Sequence, residues 1–311
     1  MAISLVTLFG GIIRRTLSAA SLSSQTIAID DETTIHFWSP KPTTTSSSTA
    51  KPPLLLIHGF GPHGVWQWQQ QINFFAKSYR LYIPNLVFFG GSYSTSSERS
   101  EIFQARAMGK LMEKVGVEKY YVVGTSYGGF VAFRMAEMWQ DRVMKVVIAN
   151  SAVNGLLSDS MELVKRGKVE KIEDLIMPEK ASELRKLMNL SVFRRAYVPD
   201  FILNDFINRL YSKNRKEKLE LLRGLTIGWD DIMKATPLQQ EVLIVWGEHD
   251  KIFLLDLAME LKKVLGKNVK LKVIKNASHI PQVENAWKFN NIIDTFLRDS
   301  PDQGLSLMSK L

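Results

Sequence analysis

Apolar residues fall in short runs along this chain, at 54–57, 80–83, 120–123, 143–149, 242–246 and 269–274, each bounded by turn-forming residues. Runs of that length that are apolar on almost every position read as strands buried on both faces. Between them, the stretches 66–76, 100–115, 130–138, 254–265 and 286–297 carry apolar residues at helical spacing. Strand and helix patterns in alternation predict an α/β fold, with a mostly parallel central sheet flanked by helices.

The alternation is interrupted twice. Residues 154–234 are almost entirely helical in pattern, so they are expected to form one helical insertion, a cap or lid, between two sheet strands. The segment from Pro40 to Pro53 is polar and low in complexity, and joins the strand-like Ile35-His36-Phe37-Trp38 to the run at 54–57. This divides the chain into an N-terminal segment 1–25, a core built from 26–153 and 235–300, the cap 154–234, and a tail 301–311. The N-terminal segment is apolar from Ile3 to Ile13 and then basic at Arg14-Arg15, the reverse of a secretory signal, and it is too short to span a bilayer. With no acid before Asp30 and many serines, it has some character of an organellar transit peptide. A helix docked on the domain is preferred, with a helix on a membrane surface next. A cytoplasmic location, with association at a membrane surface, is the corresponding expectation.

Composition changes little in this picture. The 311 residues are 45% hydrophobic, enough for a large core, which excludes a disordered or fibrous chain. The absence of cysteine removes disulfides, thiolate metal sites and cysteine nucleophiles together. The formal charge of +9 would point to nucleic acid only if clustered. Its densest run, Lys213-Asn214-Arg215-Lys216-Glu217-Lys218, precedes a leucine-rich helical stretch and reads as a solvated helix face. Nucleic acid is therefore not an expected partner.

Chemistry enters at Gly124-Thr125-Ser126-Tyr127-Gly128-Gly129, a G-x-S-x-G pattern between the run at 120–123 and a helix. A strand that turns straight into a helix holds the serine at strained dihedrals, and its neighbours must lack side chains for lack of room. The helix N-terminus then faces the hydroxyl, which favours developing negative charge. Ser126 is the candidate nucleophile. A hydroxyl needs a base. Of the five histidines, His36 lies in an early strand, His58 and His63 belong to a glycine-rich loop, and His249 directly precedes an acid. That leaves His279, after the last strand. The acid expected between them at a strand end is Asp250, with Glu248 as competitor and Asp230 and Asp231 behind. Ser126, Asp250 and His279 occur in the chain order of α/β-hydrolase triads.

Gly59-Phe60-Gly61-Pro62-His63-Gly64 has two readings. As G-x-G-x-x-G it matches a dinucleotide loop, but Tyr82-Ile83-Pro84-Asn85 lacks the acid that reading needs, and Pro62 fits it poorly. The favoured reading is an oxyanion loop, with the backbone N–H of Phe60 and that of Tyr127 as its two donors.

These motifs, with Gly247-Glu248-His249-Asp250 and Ser278-His279-Ile280-Pro281, resemble the α/β-hydrolase superfamily from about Thr26 to Leu297. Within it the chain resembles the plant and bacterial branch of monoacylglycerol-lipase-like and meta-cleavage product hydrolases. Epoxide hydrolases and haloalkane dehalogenases share the fold but use an aspartate where Ser126 stands. Asn85 occupies a place where relatives usually carry an aspartate, which puts the bracing of that turn in question. The resemblance implies a serine hydrolase acting through an acyl-enzyme on small to medium lipophilic esters, with no cofactor and no metal. Expected substrate contacts are His58, Gly59, Phe88, Phe89 and Ile280. The cap residues Met161, Met177, Met188, Phe193, Tyr197, Phe201, Phe206 and Trp229 divide between its own core and a lipophilic pocket. Two alternatives stay open: a carbon–carbon-bond hydrolase, which needs a basic group for the substrate carboxylate, and a ligand receptor on a hydrolase fold. Oligomeric state is left open.

Overall fold

The computed structural model describes residues 4–41, 51–228 and 235–299. Its strands are β1 (Leu22–Ala28), β2 (Thr33–Pro40), β3 (Pro53–Ile57), β4 (Arg80–Pro84), β5 (Tyr93–Ser94), β6 (Tyr120–Thr125), β7 (Val143–Ala149), β8 (Glu241–Gly247) and β9 (Val269–Ile274). They form one sheet in the order β1-β2-β4-β3-β6-β7-β8-β9, with β5 paired to β2. From β4 to β9 all neighbours are parallel, whereas β1 and β2 run antiparallel at one edge.

Every strand read from an apolar run is present. β1 was not anticipated, because Leu22-Ser23-Ser24-Gln25-Thr26-Ile27-Ala28 is mostly polar. An edge strand with one wet face needs few apolar residues, and its exposure alternates accordingly. The single helix expected over 66–76 is two, α2 (Gly64–Gln67) and α3 (Gln69–Phe75), after α1 (Leu5–Ala19).

The sheet separates two apolar layers. On one face it packs against α4 (Glu101–Lys114), α5 (Tyr127–Met138) and α11 (Leu255–Leu265), with Phe133, Met108 and Leu261 fully buried. On the other it packs against α1, α3 and α13 (Ala286–Arg298), through Leu17, Phe75 and Phe289. Helix α1 starts at an N-cap, Ser4, whose hydroxyl also donates to Asp205 Oδ2 at 2.6 Å. α1 buries Val6, Ile13 and Leu17 and leaves its opposite side in solvent.

Among the described residues, five helices stand between β7 and β8: α6 (Leu157–Gly167), α7 (Ile172–Ile176), α8 (Ala181–Ser191), α9 (Asp200–Leu210) and α10 (Arg215–Arg223). They have small cores of their own, one of which takes in Met177, Leu203, Ile207 and, from α1, Val6. The return to the sheet is pinned by buried charge. The Glu101 carboxylate accepts from Arg134 Nε at 3.1 Å and from the Thr226 backbone N–H at 3.0 Å. Trp229, Asp230, Asp231 and the tail 301–311 lie outside the described residues.

Candidate active site

Five neighbouring strands deliver the site at their C-terminal ends. β6 runs into Ser126, whose φ of 52° and ψ of −124° are unusual for a residue with a side chain. The strain is held by close packing. A Cβ on Gly124 would strike the Gly128 carbonyl, and one on Gly128 the carbonyls of Ile57 and His58. Ser126 N–H donates to Ala149 O at 2.9 Å, and α5 starts at Tyr127, whose N–H belongs to the first helical turn and lacks an intrahelical acceptor.

Ser126, Asp250 and His279 stand in one hydrogen-bonded line. His279 Nε2 lies 2.9 Å from Ser126 Oγ, and its Nδ1 lies 2.9 Å from Asp250 Oδ2. A carboxylate only accepts, so Nδ1 carries the proton and Nε2 is the lone pair that faces the serine hydroxyl. Asp250 is buried and receives two further backbone donors on Oδ1, from Ile252 at 2.8 Å and Phe253 at 3.0 Å. Glu248, the competitor, pairs instead with His249 at 3.4 Å on the surface.

Three residues that the sequence reading missed hold this line in place. Asn150, at the end of β7, donates from Nδ2 to Asp250 Oδ2 at 2.6 Å and accepts from Gly247 N–H at 3.3 Å. Gln67 accepts from Gly59 N–H and donates to Gly59 O, both at 2.9 Å, which fixes the loop that presents Phe60 N–H. Glu284, in the short helix α12 (Pro281–Glu284), accepts from Ser278 N–H and Phe193 N–H, both at 2.6 Å. It thereby ties the histidine loop to the segment after α8. The only sequence signal for Asn150 was its position directly after an apolar strand. Gln67 and Glu284 carried none.

A cavity of about 820 Å³ opens onto Ser126 and His279. The expected oxyanion donors Phe60 and Tyr127 line it, and so does Ile280 of the expected substrate contacts. His58, Gly59, Phe88 and Phe89 do not, and the expectation for these four is corrected. His58 is fully buried behind the wall: its Nδ1 donates to Gly59 O at 2.7 Å and its Nε2 accepts from Leu86 N–H at 3.0 Å. Burial pushes its pKa down to about 3, so it is a neutral strut between two loops. Gly59 lies beneath Ser126, where an added Cβ would come within 2.9 Å of the serine Cβ. Phe89 packs edge-on against both His58 and Phe60, with Lys218 Nζ 5.0 Å above its ring. Phe88 is covered by the Arg99 guanidinium at 4.4 Å.

The turn containing Asn85 is braced despite the missing aspartate. Asn85 Oδ1 accepts from Gly64 N–H at 3.2 Å and its Nδ2 lies 2.9 Å from His36 Nδ1. Among the aromatics and methionines between β7 and β8, Met188 and Phe206 reach the cavity, while Phe193, Tyr197 and Phe201 are exposed. Among the described residues, no group of three or more metal-ligating side chains occurs.

Sheet order, serine turn and the serine–histidine–aspartate line together define the class of α/β hydrolases. The chain belongs to the alpha/beta hydrolase fold family, whose model matches residues 52–286. It is similar to a 2-hydroxy-6-oxononadienedioate/2-hydroxy-6-oxononatrienedioate hydrolase of Paraburkholderia phymatum, 24% identical over 80% of this chain and 88% of that protein. It is also similar to a 2-hydroxy-6-oxo-6-phenylhexa-2,4-dienoate hydrolase of Burkholderia cepacia, 23% identical over 78% of this chain and 87% of that one. Among solved structures, a putative lipase from Acinetobacter baumannii superposes with a TM-score of 0.75 at 22% identity, covering 96% of both chains. That likeness is one of fold.

Proposed function

We propose that this hydrolase cleaves carboxylic esters of lipophilic acids through an acyl-enzyme, with Ser126 as nucleophile, His279 as base and Asp250 as the group that orients it. In the first step His279 Nε2 takes the Ser126 Oγ proton as Oγ attacks the ester carbonyl. The N–H groups of Phe60 and Tyr127 receive the oxyanion. His279 then gives its proton to the leaving alcohol oxygen as the carbon–oxygen bond breaks. Water, deprotonated by the same imidazole, attacks the acyl-enzyme and releases the acid.

The observation that carries the ester reading is the character of the cavity. Among the described residues, no lysine or arginine lines it, and Asp159 is the one acid. Its size suits a small-molecule ligand of the pocket range, about 300–1,000 Å³. The relatives named above act on dienoates or dienedioates, whose carboxylates would have to leave water with no cation to receive them, at a cost of several kcal/mol. A neutral acyl chain meets no such penalty. Similarity to those relatives over most of the chain supports the second reading, carbon–carbon-bond hydrolysis by the same three residues.

The test combines fluorophosphonate labelling with turnover of p-nitrophenyl esters of graded chain length and of a meta-cleavage dienoate, for wild type and Ser126→Ala. Ester turnover is expected to exceed dienoate turnover and to fall at least about 10⁴-fold in the variant. Label retained by Ser126→Ala would overturn the nucleophile. Dienoate turnover well above ester turnover would replace the ester reading by the second. A labelled wild type that turns over neither substrate would favour a ligand receptor.

A further inference from the structure

The outer side of α1 is apolar where a solvated helix would be polar. Leu5, Leu8, Phe9 and Ile12 are 46, 55, 39 and 56% exposed, and they recur at i, i+3, i+4 and i+7, so they form one stripe. Arg15, one turn past Ile12, continues that stripe as a cation. Scattered exposed apolar residues need no explanation, but a continuous stripe does. These four side chains also line the cavity that reaches Ser126. The exposed stripe is therefore the cavity's rim.

A second exposed segment borders the same opening. Val192 and Val198 line the cavity, and between them Arg194, Arg195 and Tyr197 project into solvent, Tyr197 at 84%. Phe201, 70% exposed, follows on α9, one turn before the Asp205 that holds Ser4 of α1. Of the acids near the rim, Asp200 is engaged by Arg185 at 2.6 Å and Asp205 by Arg209 at 2.8 Å, and Asp159 accepts from the Leu156 backbone N–H at 2.8 Å. Among the described residues, Arg15, Arg194 and Arg195 have no ion-pair partner. A ring of apolar and aromatic side chains with unpaired arginines at its margin is complementary to a lipid surface carrying negative headgroups.

We infer that α1 and the segment 193–201 dock this protein onto anionic lipid bilayers, with the cavity mouth facing the membrane. The stripe enters the headgroup region, the arginines meet lipid phosphates, and an apolar ligand passes from bilayer to cavity without crossing water. α1 precedes the stretch matched by the family model, residues 52–286, and the segment 193–201 lies within it.

Binding is read by co-sedimentation with vesicles of phosphatidylcholine alone or with phosphatidylglycerol, using the full chain carrying Ser126→Ala. Turnover is not involved, so this result and the ester reading can fail separately. Binding is expected to be at least about tenfold stronger with phosphatidylglycerol and to weaken as salt rises. Reversing Arg15, Arg194 and Arg195 to Glu is expected to abolish that preference, and Tyr197→Asp with Phe201→Asp to lower binding to both vesicles. The same variants are expected to keep the circular-dichroism spectrum and cooperative thermal unfolding of the parent, which shows that they fold. Equal binding to both vesicle types, or none, overturns the inference. So does a dimer in sedimentation velocity that Phe201→Asp dissociates, since a second copy would then cover this face.

Discussion

Asn150 Nδ2 and His279 Nδ1 share one oxygen of Asp250, at 2.6 and 2.9 Å. The amide supplies a fixed donor on the side away from the imidazole, so the carboxylate is held in the plane where it can meet Nδ1–H. Asn150 itself sits at φ +45°, a conformation asparagine tolerates better than most residues. In Asn150→Ala the buried oxygen loses that donor, a loss of about 1–3 kcal/mol. If it falls on orientation of His279, kcat drops about five- to a hundredfold, with KM little changed. Steady-state kinetics beside thermal unfolding separate the two: lowered Tm with unchanged kcat would make Asn150 purely structural.

Glu284 joins the histidine loop to the segment after α8, its carboxylate accepting two short bonds, from Ser278 N–H and Phe193 N–H. Charge-assisted bonds of this kind are about twice as strong as neutral ones. Glu284→Ala should loosen the segment after α8, so trypsin cuts faster at the exposed Arg194 and Arg195 and kcat falls. Glu284→Gln can retain one of the two bonds and should lie between. Unchanged proteolysis in the alanine variant would sink the idea of a clasp.

Gly128→Ala is expected to prevent the serine turn from forming, because the new methyl would overlap the carbonyls of Ile57 and His58. Backbone on both sides leaves nothing to yield, and the cost exceeds about 3 kcal/mol. Gly11→Ala gives the contrast. Nothing lies within 4 Å of its Cβ position on α1, so it should stabilise by about 0.5–1 kcal/mol. Urea unfolding of both variants checks the pair.

Acid stability follows from His58 and His63. Burial lowers their pKa values from 6.5 to about 3 and about 4. The unfolded chain binds those protons first, so the stabilisation is whole above about pH 6.5 and is lost as pH falls toward the folded values. Each group contributes a slope of up to about 1.4 kcal/mol per pH unit. Urea midpoints measured from pH 7 to 4 should show it, and His58→Gln should flatten the slope by about one proton. An unaltered slope would assign the proton uptake elsewhere.

The parallel part of the sheet was legible because buried strands are written in nearly unbroken apolar residues, as in Leu54-Leu55-Leu56-Ile57. β1 was not, since an edge strand with a wet face is written in serine and threonine. At the site, Ser126 was legible because steric crowding forces its glycine neighbours, and Asp250 and His279 because chain order restricts the choice. Asn150 and Glu284 act across segments that are 100 and 91 residues apart, from Asn150 to Asp250 and from Phe193 to Glu284, and no local pattern encodes them; Gln67 reaches only eight residues back to Gly59, but a glutamine there has no distinguishing signature. His58 misled for a related reason: a histidine at a strand end looks accessible until the loop from the next strand folds over it.

The five parts of the site hang from five adjacent parallel strands, β3, β6, β7, β8 and β9. Their mutual distances are therefore set by hydrogen-bond register in the most buried part of the molecule. Inactivation by heat should then be abrupt. Fraying of α1 can alter what reaches the serine while the line from Asp250 to Ser126 stays whole, because that helix carries none of the three residues.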